Sequence, residues 1–379
     1  MTPDFGPTTL REVIVVLEHA YPPSLAESWD SVGLVCGDPD DAVARVLICV
    51  DVTDDVVTAA LDAGTQLIVA HHPLLLRGVD TVATSTPKGS VIHRLIRGGC
   101  ALYTAHTNAD SANPGVSDAL AEALGLVDRK PLQPLSSEPL DKWVVMVPET
   151  AAAPVSEALF DAGAGAIGDY RACSWTVAGI GQFEPQPGAT PHIGSIGVRE
   201  TVAEQRVEMV AARGRRADLL DALRASHPYE EPAFDVFESV SLPGDIGLGR
   251  VGQLRAETTL GEFVSLVAQR LPSGGAGIRG GGDPDARIRR VAVCGGAGDS
   301  LLGQARASGA DVYVTGDLRH HVVDEHLRAG GPALIDAGHW ATEYPWCAQA
   351  AQLIADGVDV EVSVYELPTD PFTVSAVGR

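Results

Sequence analysis

Leu67-Ile68-Val69-Ala70-His71-His72-Pro73 is the stretch whose reading decides the fold. Four consecutive apolar residues, two of them β-branched, read as a strand buried on both faces. Two adjacent imidazoles follow at the strand's carboxyl end, and Pro73 stops the strand. In open α/β sheets ligands bind outside the carboxyl ends of the strands, and imidazole is the commonest metal-ligating side chain. Successive residues on extended chain point to opposite sides. The pair is therefore poorly placed to chelate one ion but can give one imidazole to each of two neighbouring ions. Taken alone, it could equally be two polar loop residues.

Outward from this stretch, strands and helices alternate. Thr8 or Thr9 can cap a first helix carrying Leu10, Val13, Ile14 and Leu17 at helical spacing. Val46–Val50 reads as a buried strand, and Thr53 caps a helix that Gly64 ends. A helix over about Val91–Arg97 precedes the strand Ala101–Thr104, which runs into His106-Thr107-Asn108-Ala109-Asp110, and a helix over about Gly115–Leu124 follows. This alternation predicts a parallel, layered α/β sheet.

An internal repeat organises the whole chain. Arg45-Val46-Leu47-Ile48-Cys49 aligns without gaps on Arg290-Val291-Ala292-Val293-Cys294, and the register holds through Asp54/Asp299 and Gly64/Gly309 to Leu67-Ile68-Val69 over Val312-Tyr313-Val314. His71-His72 then falls on Gly316-Asp317. Further on, His106-x-x-x-Asp110 lies near His339-x-x-x-Glu343, one residue out of register. Two similar βαβ-containing halves are predicted, each delivering a histidine and a carboxylate four residues apart from the same loop. The expected fold class is α/β, with the two halves forming one layered domain.

Between the halves, the predicted order is strand (Lys142–Val147), helix (Pro154–Ala162), strand (Thr176–Phe183), strand (Arg206–Val210), helix (Ala217–Ala225), strand (Ala233–Phe237). This is the ferredoxin-like order. The Pro-rich Pro131–Pro139 and Gly-rich Gly244–Gly252 read as linkers. The domains expected are therefore 1–130 and 246–379, the two halves of one α/β domain, with 131–245 inserted between them.

Five side chains are metal-ligand candidates: His71, His72, Asp110, His339 and Glu343. Mixed imidazole and carboxylate ligands suit two divalent ions of Zn, Fe, Mn, Co or Ni, and a carboxylate can bridge them. Thr342 is expected to cap a helix beginning near Glu343, leaving His339 in the loop. Asp110 and Glu343 could each be simple helix N-terminal carboxylates; the repeat, which brings their loops to matching strand ends, favours the metal reading. His106 is read as supporting a ligand rather than ligating. His320-His321 could face a cavity and act on substrate, but the start of a helix is the preferred reading. His192, His227 and His326 have no evident partner. Gly295-Gly296-Ala297-Gly298 is either a tight turn or an anion cradle at a helix start. Trp29-Asp30 could line a pocket or pin its loop, and Cys347 has no evident activating base.

The net charge of −23 and the lack of a dense Lys/Arg run disfavour nucleic acid as a partner. The apolar runs are strand-sized, so no membrane span is expected. The six cysteines form no C-x-x-C pair, and Met1-Thr2-Pro3-Asp4-Phe5 begins no secretory pattern. A reduced, cytoplasmic protein is the expectation.

Glu27-Ser28-Trp29-Asp30-Ser31-Val32-Gly33-Leu34, Ala70-His71-His72-Pro73, Thr104–Asp110, Thr315-Gly316-Asp317 and Asp336-Ala337-Gly338-His339-x-x-x-Glu343 together resemble the NIF-three-like family of dinuclear-metal-centre hexameric proteins, also labelled GTP cyclohydrolase I type 2 homologues. In the middle region, Phe160–Gly165, Ile167–Tyr170 and His227-Pro228-Tyr229-Glu230-Glu231-Pro232 are similar to the PII-like insertion of longer bacterial members. Ser31 departs from the asparagine common in the family. The resemblance implies two metal ions on His71, His72, Asp110, His339 and Glu343. It also implies a toroidal homohexamer with the sites facing its interior and the insertion capping the ring openings. A metal-dependent hydrolase acting on a small nucleotide-like ligand is expected, the alternative being a non-enzymatic metal-binding or regulatory assembly.

Overall fold

The computed structural model describes residues 7–136, 139–240, 242–272, 274–275, 277–374 and 376. In chain order the first strands are β1 (Gly33–Cys36), β2 (Arg45–Cys49), β3 (Leu67–Ala70), β4 (Ala101–Thr104) and β5 (Val127–Ser136). They are followed by β6 (Leu140–Pro148), β7 (Ser174–Phe183), β8 (Glu200–Ala212) and β9 (Phe234–Glu238). The last are β10 (Pro243–Thr259), β11 (Arg279–Gly281), β12 (Arg287–Ala297), β13 (Val312–Gly316), β14 (Ala333–Asp336) and β15 (Glu361–Val364). With the helices between them they make a mixed α/β protein with three sheets among the described residues, ordered β1-β4-β3-β2-β15, β11-β14-β13-β12-β10-β5 and β7-β8-β6-β9. The chain divides into two compact units, Met1–Leu135 with Asp245–Arg379, and Ser136–Gly244.

The first unit holds the two larger sheets. In one, β2, β3 and β4 are parallel and β1 runs antiparallel to β4; in the other, β12, β13 and β14 are parallel and β11 runs antiparallel to β14. The local devices also recur. Gln66 Oε1 accepts the N–H groups of Ala44 and Arg45, and Asp311 Oδ2 accepts those of Arg289 and Arg290. Arg45 donates to the Ala63 carbonyl, and Arg290 to that of Ser308. Both of these pairs repeat at the spacing of the sequence alignment. A capping box opens a helix ahead of each set, Thr9 with Glu12 and Thr259 with Glu262.

All four residues of β3 are buried, as expected of a strand covered on both faces. On one face, Ile48 and Val69 pack with Leu10, Val13 and Leu17 of the first helix and with Trp346 and Ile354 of the helix Pro345–Gly357. Each such aliphatic side chain contributes about 1.5–3 kcal/mol on full burial.

Two expected linkers are instead strands. Pro131 and Pro134 lie in β5, the edge of its sheet, where a missing N–H is tolerated; residues 137 and 138 of the expected linker lie outside the described residues. Gly244–Gly252 lies within β10. Gly247 is required there, because a Cβ would meet the Gln133 carbonyl oxygen at 2.2 Å.

The second unit has the order β6, helix Ala152–Asp161, β7, β8, helix Arg216–Ser226, β9. Its antiparallel sheet is covered by the two helices, with Trp143, Val145, Leu159, Leu219 and Leu223 at the core. Thr176–Phe183 lies in β7, which is exposed along most of its length at the sheet's edge.

Candidate metal centre

The carboxyl ends of β3 and β4 and those of β13 and β14 bring their loops together in the first unit. His71 and His72 leave β3, His106 and Asp110 follow β4, Asp317 follows β13, and His339 and Glu343 follow β14. Each imidazole is fixed by its Nδ1. His71 Nδ1 donates to the Ala105 carbonyl at 2.9 Å, His72 Nδ1 to Asp51 at 2.7 Å and His339 Nδ1 to Asp317 at 2.7 Å. In the neutral state these bonds leave every Nε2 as an inward lone pair, the form that ligates metal.

The three Nε2 atoms surround one carboxylate. Glu343, 3% exposed, has Oε1 at 3.5 Å from His71 and 3.1 Å from His339, and Oε2 at 3.0 Å from His72. His72 Nε2 and His339 Nε2 are themselves 3.2 Å apart. Two lone pairs cannot face each other at that distance without a cation or proton between them. His71 Nε2 and Glu343 Oε2 are buried without a hydrogen-bond partner despite these close approaches, and such groups are costly unless an ion or water satisfies them. Asp110 Oδ1 lies 3.8 Å from His71 Nε2. Two overlapping groups, His71-His72-His106 and His72-His339-Glu343, each place one ligand atom per residue within 4.8 Å of the others and can hold a metal ion.

The protein's own charges are tuned accordingly. Burial opposes an imidazolium at His72, but the Glu343 and Asp51 carboxylates outweigh it and push His72 up to about 11. Against the same opposition from burial, Glu343 and Asp317 raise His339 to about 9, and Glu343 raises His71. Burial would raise Glu343, yet His72, His71 and His339 hold it well below the usual carboxylate range. Burial, together with the nearby Glu343 charge, raises Asp110 to about 6 although His71 opposes it. Burial and repulsion from His71 push His106 down to about 4 despite its 2.9 Å bond to Asp30.

Some expected roles change with the geometry and others hold. Thr342 caps no helix: a short helix spans His339–Glu343 behind Gly338, and the Thr342 hydroxyl donates within that turn to Gly338 and His339 carbonyls. His339 and Glu343 therefore sit one helical turn apart on one face. Gly295–Ala297 ends β12, and Gly298 caps the 3-10 turn Asp299–Leu301 that leads into the helix Leu302–Ala307. A Cβ on Gly296, at φ +64°, would meet Glu343 Oε1 at 2.2 Å, so this glycine is the floor under the carboxylate. Gly316 plays the same part under the His339 backbone. His320 and His321 are exposed at the start of the helix His320–Arg328. His227 does have partners: Nε2 donates to the Met146 carbonyl and Nδ1 accepts from the Tyr229 N–H. Asp30 is a buried partner of His106 and Thr107, and burial pushes the Cys347 thiol up, away from the nucleophilic thiolate. The clamping carboxylates Asp51 and Asp317 escaped the sequence reading as functional residues. Asp51 is signalled only by its position just past the end of β2, and Asp317 by its position after β13 and its place in the Thr315-Gly316-Asp317 motif.

A cavity of about 650 Å³ opens beside His72 and His339. The fold and this cluster define a mixed α/β protein with a candidate metal centre at converging strand ends. Residues 8–371 match the family described as Duf34/NIF3 (NGG1p interacting factor 3), and the chain belongs to that family. It is 56% identical over 370 residues to the "GTP cyclohydrolase 1 type 2 homolog" of Mycobacterium leprae, covering 97% of this chain and 96% of that one. It is 38% identical over 367 residues to the Bacillus subtilis protein of the same name, covering 96% and 98%. Among solved structures, a Bacillus cereus protein related to NIF3 matches with a TM-score of 0.73 at 38% identity, covering 98% of this chain and 100% of that one. A Staphylococcus aureus protein matches with a TM-score of 0.83 at 28% identity over the same shares. Among the described residues no helix is long and apolar enough to cross a membrane.

Proposed function

We propose that this chain is a dinuclear metal-dependent hydrolase acting on a small nucleotide-like substrate. The observation that carries the reading is the convergence of three Nδ1-clamped imidazoles on the single buried carboxylate Glu343. His71 with Asp110 would hold one ion and His72 with His339 the other, with Glu343 between them. Divalent ions held there would supply Lewis acidity and lower the pKa of water toward neutrality. Asp51 and Asp317 keep His72 and His339 in the ligating tautomer. His106, held by Asp30 through Nδ1, stands beside His71 and His72 as a supporting imidazole. The cavity beside His72 and His339 is large enough for a nucleoside-sized molecule.

The repeated strand orders and the paired Gln66/Asp311 and Arg45/Arg290 devices support two related halves. The order of strands and helices in Ser136–Gly244 supports a ferredoxin-like, PII-like insertion. A toroidal homohexamer is the assembly we infer, supported by exposed Trp175 and Val177 on one face of β7, apolar side chains suited to cover by a second copy. The test of function is a panel of nucleosides, nucleotides and phosphodiesters assayed with metal-replete wild type and Glu343→Ala. Turnover by wild type that the substitution abolishes is expected; turnover unaffected by it would remove the proposed site.

A further inference from the structure

The cavity beside the centre has four aspartates in its wall, Asp51, Asp317, Asp336 and Asp370, and one guanidinium, Arg279. No lysine lines it among the described residues. Arg279 donates its Nη2 to Asp336 in a short ion pair, so these two charges offset each other. Asp51 and Asp317 serve His72 and His339. Asp370 accepts the Phe372 N–H at 2.8 Å, which holds the chain so that Pro371 and the 67%-exposed Phe372 form an apolar wall. The cavity thus pairs a flat apolar side with a carboxylate-rich side.

We propose that the substrate of this cavity is a neutral or cationic ring compound of nucleoside size, lacking a polyphosphate tail. The inference rests on the metal-centre reading above and specifies its substrate class. Sites that take polyphosphates offer arginine forks, lysines, or backbone N–H groups at a helix N-terminus. Here the one guanidinium lining the cavity among the described residues is paired with Asp336, and the other wall carboxylates, Asp51, Asp317 and Asp370, repel an anion. Divalent ions held there would offer an anion a coordination position, but the charge they bring is already matched by the carboxylates around them. Two divalent ions would bring four positive charges, against the carboxylates of Glu343, Asp110, Asp51, Asp317 and Asp30 gathered around the imidazoles. An anionic tail therefore meets a centre with no surplus positive charge, and beyond it Asp370. Like charges brought together in this way select strongly against a ligand.

The relatives' name suggests the probes: guanosine and GTP, titrated by calorimetry into the full, metal-loaded chain with free Mn2+ in excess over nucleotide. At low ionic strength GTP is expected to bind about tenfold or more weakly than guanosine, and the gap should close as salt screens the repulsion. Asp370→Asn removes one repelling charge and should narrow the gap by roughly threefold. GTP binding more tightly than guanosine, or losing affinity as salt rises, would overturn the proposal. So would failure of both ligands to bind while the ions are retained, an outcome that leaves the metal centre standing. Failure of the chain to retain ions would instead remove the reading on which the proposal rests.

Discussion

Gly296→Ala isolates the packing that aims Glu343. Gly296 has φ +64°, and Gly309, its control, has φ +70°. Alanine at either site takes on the cost of the left-handed region, about 1–2 kcal/mol. At Gly309 a Cβ meets nothing within 4 Å, whereas at Gly296 it would lie 2.2 Å from Glu343 Oε1 and 3.0 Å from His339 Nε2. To restore ordinary contact the carboxylate must retreat by roughly 1 Å, several times the ~0.2 Å latitude of a metal–ligand bond. Both variants should therefore lose similar thermal stability when metal-free. Only Gly296→Ala should lose metal affinity, by about 100-fold or more, since disturbing even an outer partner costs 10–100-fold. The assay is competition against a chromophoric chelator, with melting of the metal-free proteins alongside. Wild-type affinity in Gly296→Ala, or an equal loss in Gly309→Ala, would refute the reasoning.

Protonation provides a second check. Metal-free His72 and His339, at about 11 and about 9, each carry a proton at pH 7. Ligating imidazoles must be neutral, so saturation with Zn2+ or Mn2+ at pH 7 should release about two protons per chain, read from the buffer dependence of the calorimetric enthalpy. Affinity should accordingly fall with pH, and release near zero would contradict the raised values. In the second unit, buried Asp141 is held below its ordinary value chiefly by its hydrogen bond to Arg216, with Arg213 also bonded. A depressed carboxylate contributes stability that is complete above its unfolded value, near 3.9, and is lost as pH falls through the folded one. Wild type should thus melt above Asp141→Asn at pH 6 to 8, with the difference shrinking only below about pH 4; a difference that shrinks near neutrality would point to another group.

Much of this centre was legible because buried parallel strands announce themselves. Leu67–Ala70 has no polar residue until His71, so the strand end and the ligand candidates were read together. The repeat supplied the second loop, and with it His339 and Glu343. Its physical basis is visible in the paired hydrogen bonds of Gln66 and Asp311, which hold the same turn twice. What stayed hidden depends on contacts across the chain. Asp51 and Asp317 are ordinary loop residues until His72 and His339 reach them. Gly296 looked like a turn former because a sequence does not show which carboxylate will lie on a glycine. Pro131 and Pro134 suggested a linker because edge position, which excuses a strand proline, is a property of the finished sheet.

The most direct test of the central claim is the metal content of the chain, purified without chelator or affinity tag and equilibrated with excess divalent metal before desalting. The structure's three clamped imidazoles around Glu343, with Asp110 at the flank, predict about two ions per chain. Less than one ion per chain under those conditions would contradict it.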